Sequence, residues 1–397
     1  MINFGNYLNV LNTFFALSLS SFDPKKTSFA ISYAKLIYCM ALLGFIPITY
    51  PNIVRILREN MLKGSGNQLS KLLASFQSTF IYILNSSLLL YKLINCKNDV
   101  SRKNQYIHFK VNFNNYLKNA KLKKGRDNRL FLLVTSSLII FALQAISLII
   151  VTLRVLHRPI HGFQYIVVHW FYYFQILSSG NIFLERILQF QFMLSSINRT
   201  LKENLDISRH KIEYRSKAYQ MTVFCKISDN LNNLEELNSK IYSFIRELIQ
   251  YDAFIMNISL LQKVLEIIVP IFFQFVSRFL SNEHYHTEPL FIVFGLIYMI
   301  CNCCSLLIYI TVCQNTENEM STTAKILHEF PVHKTDDRLK ESINRFSLQI
   351  LQEKRPISVC GMFNVDNTLL YSMISSMTSY LILLVQFQLQ GVGSSKG

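Results

Sequence analysis

Inside the apolar run 367–392, Thr368, Ser372, Ser375, Ser379, Gln386 and Gln390 recur at steps of four, three, four, seven and four. Such steps trace one stripe along a helix, with Leu383 as its single apolar residue. Lipid disfavours a polar stripe, so this one should face protein or water. Small hydroxyl side chains let membrane helices pack closely, and a stripe that ends in two amides also suits the wall of an aqueous pore; spacing alone leaves both open. A second group is Lys263 and Glu266, three residues apart in the run 253–279, where opposite charges on one helix face can neutralise each other. A third group is scattered. Gln144, His169, Trp170, Tyr173, Gln262, Tyr298 and Asn302 put polar or aromatic groups inside apolar runs. There they can recognise a small molecule by hydrogen bonds and stacking, or serve as interhelix glue and interfacial anchors. Trp170, the only tryptophan, lies within its run, which favours packing or a pocket over a lipid-interface belt.

Metal chemistry has weaker support. Cys301 and Cys304 have metal spacing but no second ligand pair nearby, and four of the eight cysteines fall in the run 289–313, so helix packing accounts for them better than a disulfide framework. His157 and His161 follow the third run, and His284 and His286 follow the fifth, at spacings that permit zinc but are better explained as solvated loop histidines. No metal or cofactor is expected.

The elements that must hold these residues are transmembrane helices. Of 397 residues, 51% are hydrophobic and only 16% charged, against about a quarter charged in a soluble chain. A span needs about 20 mainly apolar residues. Seven runs qualify: 29–50, 72–91, 130–153, 163–184, 253–279, 289–313 and 367–392. Lys35, near the start of the first, can snorkel to the interface. The net charge of +16 lies in the loops between runs, which argues against nucleic acid as a partner. With the N-terminus inside, the inner segments carry 30 of the 40 Lys and Arg and the outer segments 8, counting Arg278 at the outer end of the fifth run; since cytoplasmic loops retain positive charge, the N-terminus is expected in the cytoplasm and the C-terminus outside. The loop 92–129, with eleven basic residues against Asp99 and Asp127, decides this.

Two inner regions are too long to be connectors. Ile227, Leu231, Leu234, Leu237, Ile241, Phe244 and Leu248 recur at helical spacing, so the fourth and fifth spans should continue as helices below the membrane. Residues 336–353 read as a helix with Leu339, Ile343, Phe346 and Ile350 on one face, stopped by Pro356. That face can pack within the chain or form a subunit interface, and periodicity does not choose. The fold class is thus an all-α membrane protein of seven transmembrane helices.

The segment Ser379-Tyr380-Leu381-Ile382-Leu383-Leu384-Val385-Gln386-Phe387 resembles the C-terminal signature of insect gustatory receptors, Thr-Tyr, five apolar residues, Gln-Phe, with Ser379 in place of Thr. Upstream, Gly361-Met362-Phe363 and Leu369-Leu370 are similar to the Gly-x-Phe and Leu-Leu that precede it in that family. The resemblance implies a ligand-gated, non-selective cation channel of four subunits, homomeric or mixed with related receptors, in the plasma membrane of a sensory neuron, and not an enzyme. It implies a last helix split in two, so residues 1–335 would hold the first six spans with their cytoplasmic extensions, and 336–397 the anchor and pore helices. Leu339, Ile343 and Phe346 would then sit at the tetramer interface. Ser379, Leu383, Gln386, Phe387 and Gln390 would line the pore, with Leu383 and Phe387 as its apolar constriction. The ligand would be a small tastant held in the outer half of each subunit; Leu381, apolar where sugar-sensing members carry an acid, points to a bitter or other non-sugar compound. A G-protein-coupled receptor would need the opposite orientation, and the third run ends in Leu153-Arg154-Val155 without Asp-Arg-Tyr. A secondary transporter should show inverted halves, and none is visible.

Overall fold

The computed structural model of the chain describes residues 13–23, 27–60, 68–119, 128–155, 163–210, 216–279, 289–331, 336–353, 356–359 and 361–394. In chain order come strands β1 (Ser20–Asp23) and β2 (Ser28–Ile31) and helices α1 (Tyr33–Asn60), α2 (Gln68–Ile94), α3 (Cys96–Asn119), α4 (Asn128–Val155), α5 (Phe163–His210), α6 (Lys217–Phe279), α7 (Pro289–His328) and α8 (Asp337–Glu353). Strands β3 (Ser358–Val359) and β4 (Phe363–Asn364) and helix α9 (Asn367–Ser394) follow. The seven apolar runs fall on α1, α2, α4, α5, α6, α7 and α9. Among the described residues, Tyr33–Asn52, Lys217–Phe275, Ile292–His328 and Asn367–Gln390 are each long and apolar enough to cross a membrane. The polar, basic α3 turns away from α2 by 68°.

The first run starts later than its composition suggests. Residues 28–31 pair with β1 in an antiparallel hairpin, Ser20 opposite Ile31 and Asp23 opposite Ser28. Asn104 on α3 brackets Phe29, accepting from its N–H at 2.6 Å and donating to its carbonyl at 3.0 Å, which draws this residue out of the helix. Lys35 does not simply snorkel; its Nζ donates to the Ser20 carbonyl at 2.8 Å and ties α1 to the hairpin.

α5 and α6 are 48 and 63 residues long. At 1.5 Å per residue they extend about 70 and 95 Å, against a hydrocarbon core of about 30 Å, so both must project well beyond it, as the periodicity of 227–248 predicts. Leu231, Leu234 and Ile241 of α6 are fully buried and join Leu194 and Leu201 of α5 and Leu327 of α7 in the largest apolar cluster. α8 closes this bundle. Its Leu339, Ile343 and Phe346, expected at a subunit interface, are buried inside the single chain, with exposures of 0%, 3% and 0%. They belong to the same cluster because α6 and α7 leave an apolar groove there. Arg345 pairs with Glu235 at 2.8 Å and Ser342 bonds Ser228 at 2.7 Å along that seam. The outward face of α8 instead carries Leu348 and Leu351.

Where α2, α3, α5 and α6 meet, charges are buried together. Lys103 Nζ lies 2.6 Å from Asp99 Oδ2, and Arg186 Nη1 lies 3.0 Å from Asp252 Oδ2. The Arg102 guanidinium stacks 3.2 Å from the Tyr251 ring centroid, with Lys92 at 5.3 Å from the same ring. Lys103 also donates to Ser18 and Ser20, which fastens the N-terminal hairpin to α3. Burial works against ionising Asp99, but Lys103, Lys92 and Arg186 outweigh it and hold its carboxyl well below the usual carboxylate range.

Between α8 and α9 the chain reverses through β3 and β4, with Gly361 at φ 70°, in the left-handed region that favours glycine. Asp366 then caps α9 by accepting from the Leu369 N–H at 3.0 Å.

Candidate functional site

Two features gather the residues that the sequence singles out. The first is a polar cluster buried between α2, α4, α5, α6 and α7. Asn302 on α7 accepts a hydrogen bond from the Gln144 amide of α4 at 3.0 Å. One turn earlier, the Tyr298 hydroxyl lies 2.7 Å from that of Tyr173 on α5 and donates to the Glu266 carboxyl of α6. The other carboxyl oxygen of Glu266 accepts from the Gln77 amide of α2 at 3.2 Å. Lys263 donates to the Ser305 hydroxyl of α7.

Lys263 and Glu266 therefore do not neutralise each other as their spacing suggests. Their partners on α7, Ser305 and Tyr298, stand seven residues apart, about 10 Å along the helix axis, and this draws the two charged heads away from each other. Both side chains are nevertheless buried, at 5% and 4% exposure, and both hydrogen-bond only neutral groups among the described residues.

Local sequence explains how the helices come this close. Gly180 on α5 faces Ser259 on α6 so tightly that an added Cβ would meet the serine Oγ at 3.1 Å. Pro270 inside α6 cannot donate a backbone hydrogen bond, which releases the Glu266 carbonyl from its helical partner and weakens α6 at the level of the cluster.

Two small cavities flank Lys263. One lies between α4, α5, α6 and α7 and is lined by Ser137, Phe141, Gln144, Lys263 and Ser305 among others; the second lies between α5, α6 and α7, lined by Tyr173, Gly180, Gln262, Lys263, Glu266 and Asn302 among others. Each offers about 10 Å³ to the centre of a water-sized molecule, room for roughly one water. Gln262 is buried with neither amide atom partnered among the described residues, and the Ser259 hydroxyl beside it is also unpartnered. Of the seven residues picked from the sequence, Gln144, Tyr173, Gln262, Tyr298 and Asn302 thus converge on one cluster. Trp170 is buried and His169 half-buried, and neither lines either cavity; the His169 ring sits 6.1 Å from that of Tyr82, with its Nδ1 unpartnered among the described residues. Gln77, Ser305 and Ser259 went unnoticed in the sequence, where each is one more polar residue in an apolar run. His157, His161, His284 and His286 lie outside the described residues.

The second feature is α9. In its span Asn367–Gln390, none of the most apolar window is buried within the chain. Leu369, Leu370, Met373 and Met377 rest against the main apolar cluster, and among the described side chains of the helix only Gln388 is fully buried. The polar stripe points elsewhere: Thr368, Ser372, Ser375, Ser379, Leu383, Gln386 and Gln390 are all exposed. Tyr380 and Phe387, at 62% and 56% exposure, also find no cover in the chain.

Comparison with known proteins bears on both features. A family profile described as 7tm Chemosensory receptor matches residues 5–391. Putative gustatory receptor 94a of Drosophila melanogaster is 22% identical over 53% of this chain and 54% of its own length. Gustatory receptor for bitter taste 93a of the same fly is 23% identical over 53% of this chain and 48% of its own, and gustatory receptor for bitter taste 66a is 37% identical over 22% of this chain and 16% of its own. The chain thus spans about half the length of these relatives, or less. Among solved structures, the insect olfactory receptor OR5 from Machilis hrabei, determined in complex with eugenol, matches with a TM-score of 0.59 at 13% identity, covering 97% of this chain and 99% of that one. The two share a fold.

Proposed function

Because this chain belongs to the 7tm chemosensory receptor family and is a multi-pass membrane protein, we propose that it is a gustatory receptor working as a tetrameric, ligand-gated, non-selective cation channel for a small, non-sugar tastant. In this reading the N-terminus is cytoplasmic, the C-terminus is extracellular, and the receptor sits in the plasma membrane of a sensory neuron. The supporting observation is the orientation of α9. Leu369, Leu370, Met373 and Met377 in its first half rest on the bundle, while its polar stripe, the signature Tyr380 and the apolar Ile374, Ile382 and Leu389 stay exposed, as expected of a helix that completes its packing against other copies of itself. Around a fourfold axis, Ser379, Leu383, Gln386 and Gln390 form rings, and Leu383 with Phe387 makes a constriction that closes by dewetting. Leu348 and Leu351 of α8 then serve the contact between subunits that Leu339, Ile343 and Phe346 cannot provide.

The tastant enters the cluster around Tyr173, Gln262, Tyr298 and Asn302. Because the resting cavities hold about one water each, binding must widen the seam between α5, α6 and α7. α9 packs on α6 and α7, so widening that seam shifts the pore helix. Relatives with bitter taste in their names support the choice of a non-sugar ligand.

Recording from cells that express the chain tests the pore. Leu383→Ser should give current without ligand, and Gln386→Glu should change calcium block or permeability by adding up to four charges at one level. Cysteines along the stripe should react with water-soluble thiol reagents and alter current; cysteines at Leu381 or Val385 should not. Unchanged selectivity in Gln386→Glu, together with a closed Leu383→Ser protein at the cell surface, would remove α9 from the pore. A transporter or a coupled receptor would show no unitary currents of its own.

A further inference from the structure

We propose that the cavity between α5, α6 and α7 selects small amphoteric molecules, with an ammonium and a carboxylate on one short aliphatic chain; this rests on the cavity being the ligand site. Its charged lining residues are Lys263 and Glu266, both more than nine-tenths buried. A buried charge is stable only when paired and hydrogen-bonded, yet Lys263 has a serine hydroxyl, and Glu266 a phenol and an amide. Each lacks an ionised partner among the described residues.

Charge arithmetic narrows the ligand. A simple amine satisfies Glu266 but is repelled by Lys263, and a simple acid meets the reverse conflict. Either adds net charge to an apolar bundle. An amphoteric molecule sets its carboxylate on Lys263 and its ammonium on Glu266, forming two charge-assisted bonds about twice as strong as neutral ones and adding no net charge. A neutral ligand leaves both heads as they are. Spacing follows from the partners: Lys263 is held by Ser305, which lines the neighbouring cavity, and Glu266 by Tyr298, seven residues or about 10 Å of helix rise away on α7, so charges separated by several methylenes fit better than those of an α-amino acid. The unpartnered Gln262 amide and Ser259 hydroxyl, in the same lining, offer a donor and an acceptor to the ligand's carboxyl or ammonium group.

Binding is measured on the purified full chain in detergent, without current, using glycine, γ-aminobutyric acid and 6-aminohexanoic acid beside butylamine and butyric acid. We expect saturable binding of a longer amino acid, about tenfold tighter than butylamine or butyrate, with glycine weaker. Lys263→Gln should erase the preference over butylamine, and Glu266→Gln the preference over butyrate. Butylamine or butyrate binding as tightly as the best amino acid would overturn the proposal, as would no saturable binding of any amino acid to monodisperse protein. If the variants fail to fold, the ligand series on the unaltered chain decides. A silent channel with intact binding removes the pore assignment alone, and absent binding with an intact pore removes this proposal alone.

Discussion

Two regions bury charge, and they do so in opposite ways. Where α2, α3, α5 and α6 meet, Asp99 lies 2.6 Å from Lys103 and Asp252 lies 3.0 Å from Arg186, and a guanidinium stacks on Tyr251. Each carboxylate has its own cation, and the assembly fastens the hairpin, α3 and the two long helices together. Within the bundle, Lys263 and Glu266 are as deeply buried but rest on a hydroxyl, a phenol and an amide. Charges that are paired at home make architecture. Charges left with neutral partners keep their strongest interaction available for something that arrives.

The comparison breaks most readily at Asp99. Asp99→Ala takes the paired acid from half-buried Lys103 and leaves buried Lys92 with Asp252 alone, and should cost about 3 kcal/mol, read as a large fall in thermal midpoint in detergent or as retention inside the cell. Lys263→Met, with no counterion to strand, should change stability by less than about 1.5 kcal/mol while abolishing the ligand response. Equal losses in the two variants would mean that both clusters are structural. A smaller effect is expected at Tyr298. Tyr298→Phe removes one hydroxyl that links Tyr173 to Glu266 and should cost about 1 to 2 kcal/mol, with ligand sensitivity falling by roughly tenfold in dose–response currents. The smallest effect is that of pH on the paired region. The Asp99 carboxyl is depressed in the fold, so its contribution is complete above the ordinary aspartate value of about 3.9 and is lost only as pH falls below it. The stability gap between the chain and Asp99→Asn should stay flat from about pH 5 to 8 and shrink under stronger acid, as melting at each pH would show.

Much of this architecture was legible in the sequence because it depends on periodicity. Apolar runs mark the helices of the bundle, heptad-like spacing marks the long extension of α6, and the stripe of Ser379, Gln386 and Gln390 is exposed on α9. What periodicity omits is the identity of the neighbour. It put Leu339, Ile343 and Phe346 on one face but not against α6 and α7 of the same chain. It put Lys263 and Glu266 on one face but did not show that Ser305 and Tyr298 hold their heads apart. Composition alone extends the first span back to residue 29, which is apolar, while pairing with Phe22 and two hydrogen bonds to Asn104, 75 positions later, hold it in a strand. Such pairings belong to tertiary structure, and a single sequence carries no direct trace of them.

The length of α6 has a mechanical side. From Pro270 back to Lys217 the helix runs 53 residues, about 80 Å. A tilt of roughly 3° about that proline, small enough to follow from admitting a few atoms beside Glu266, would swing the far end by about 4 Å. The proline acts as a fulcrum and the helix as a lever arm, converting an angular change near the polar cluster into a displacement far from it. A crosslink or a bound protein that clamps the Lys217 end of α6 would therefore resist any widening beside Glu266 with the same leverage.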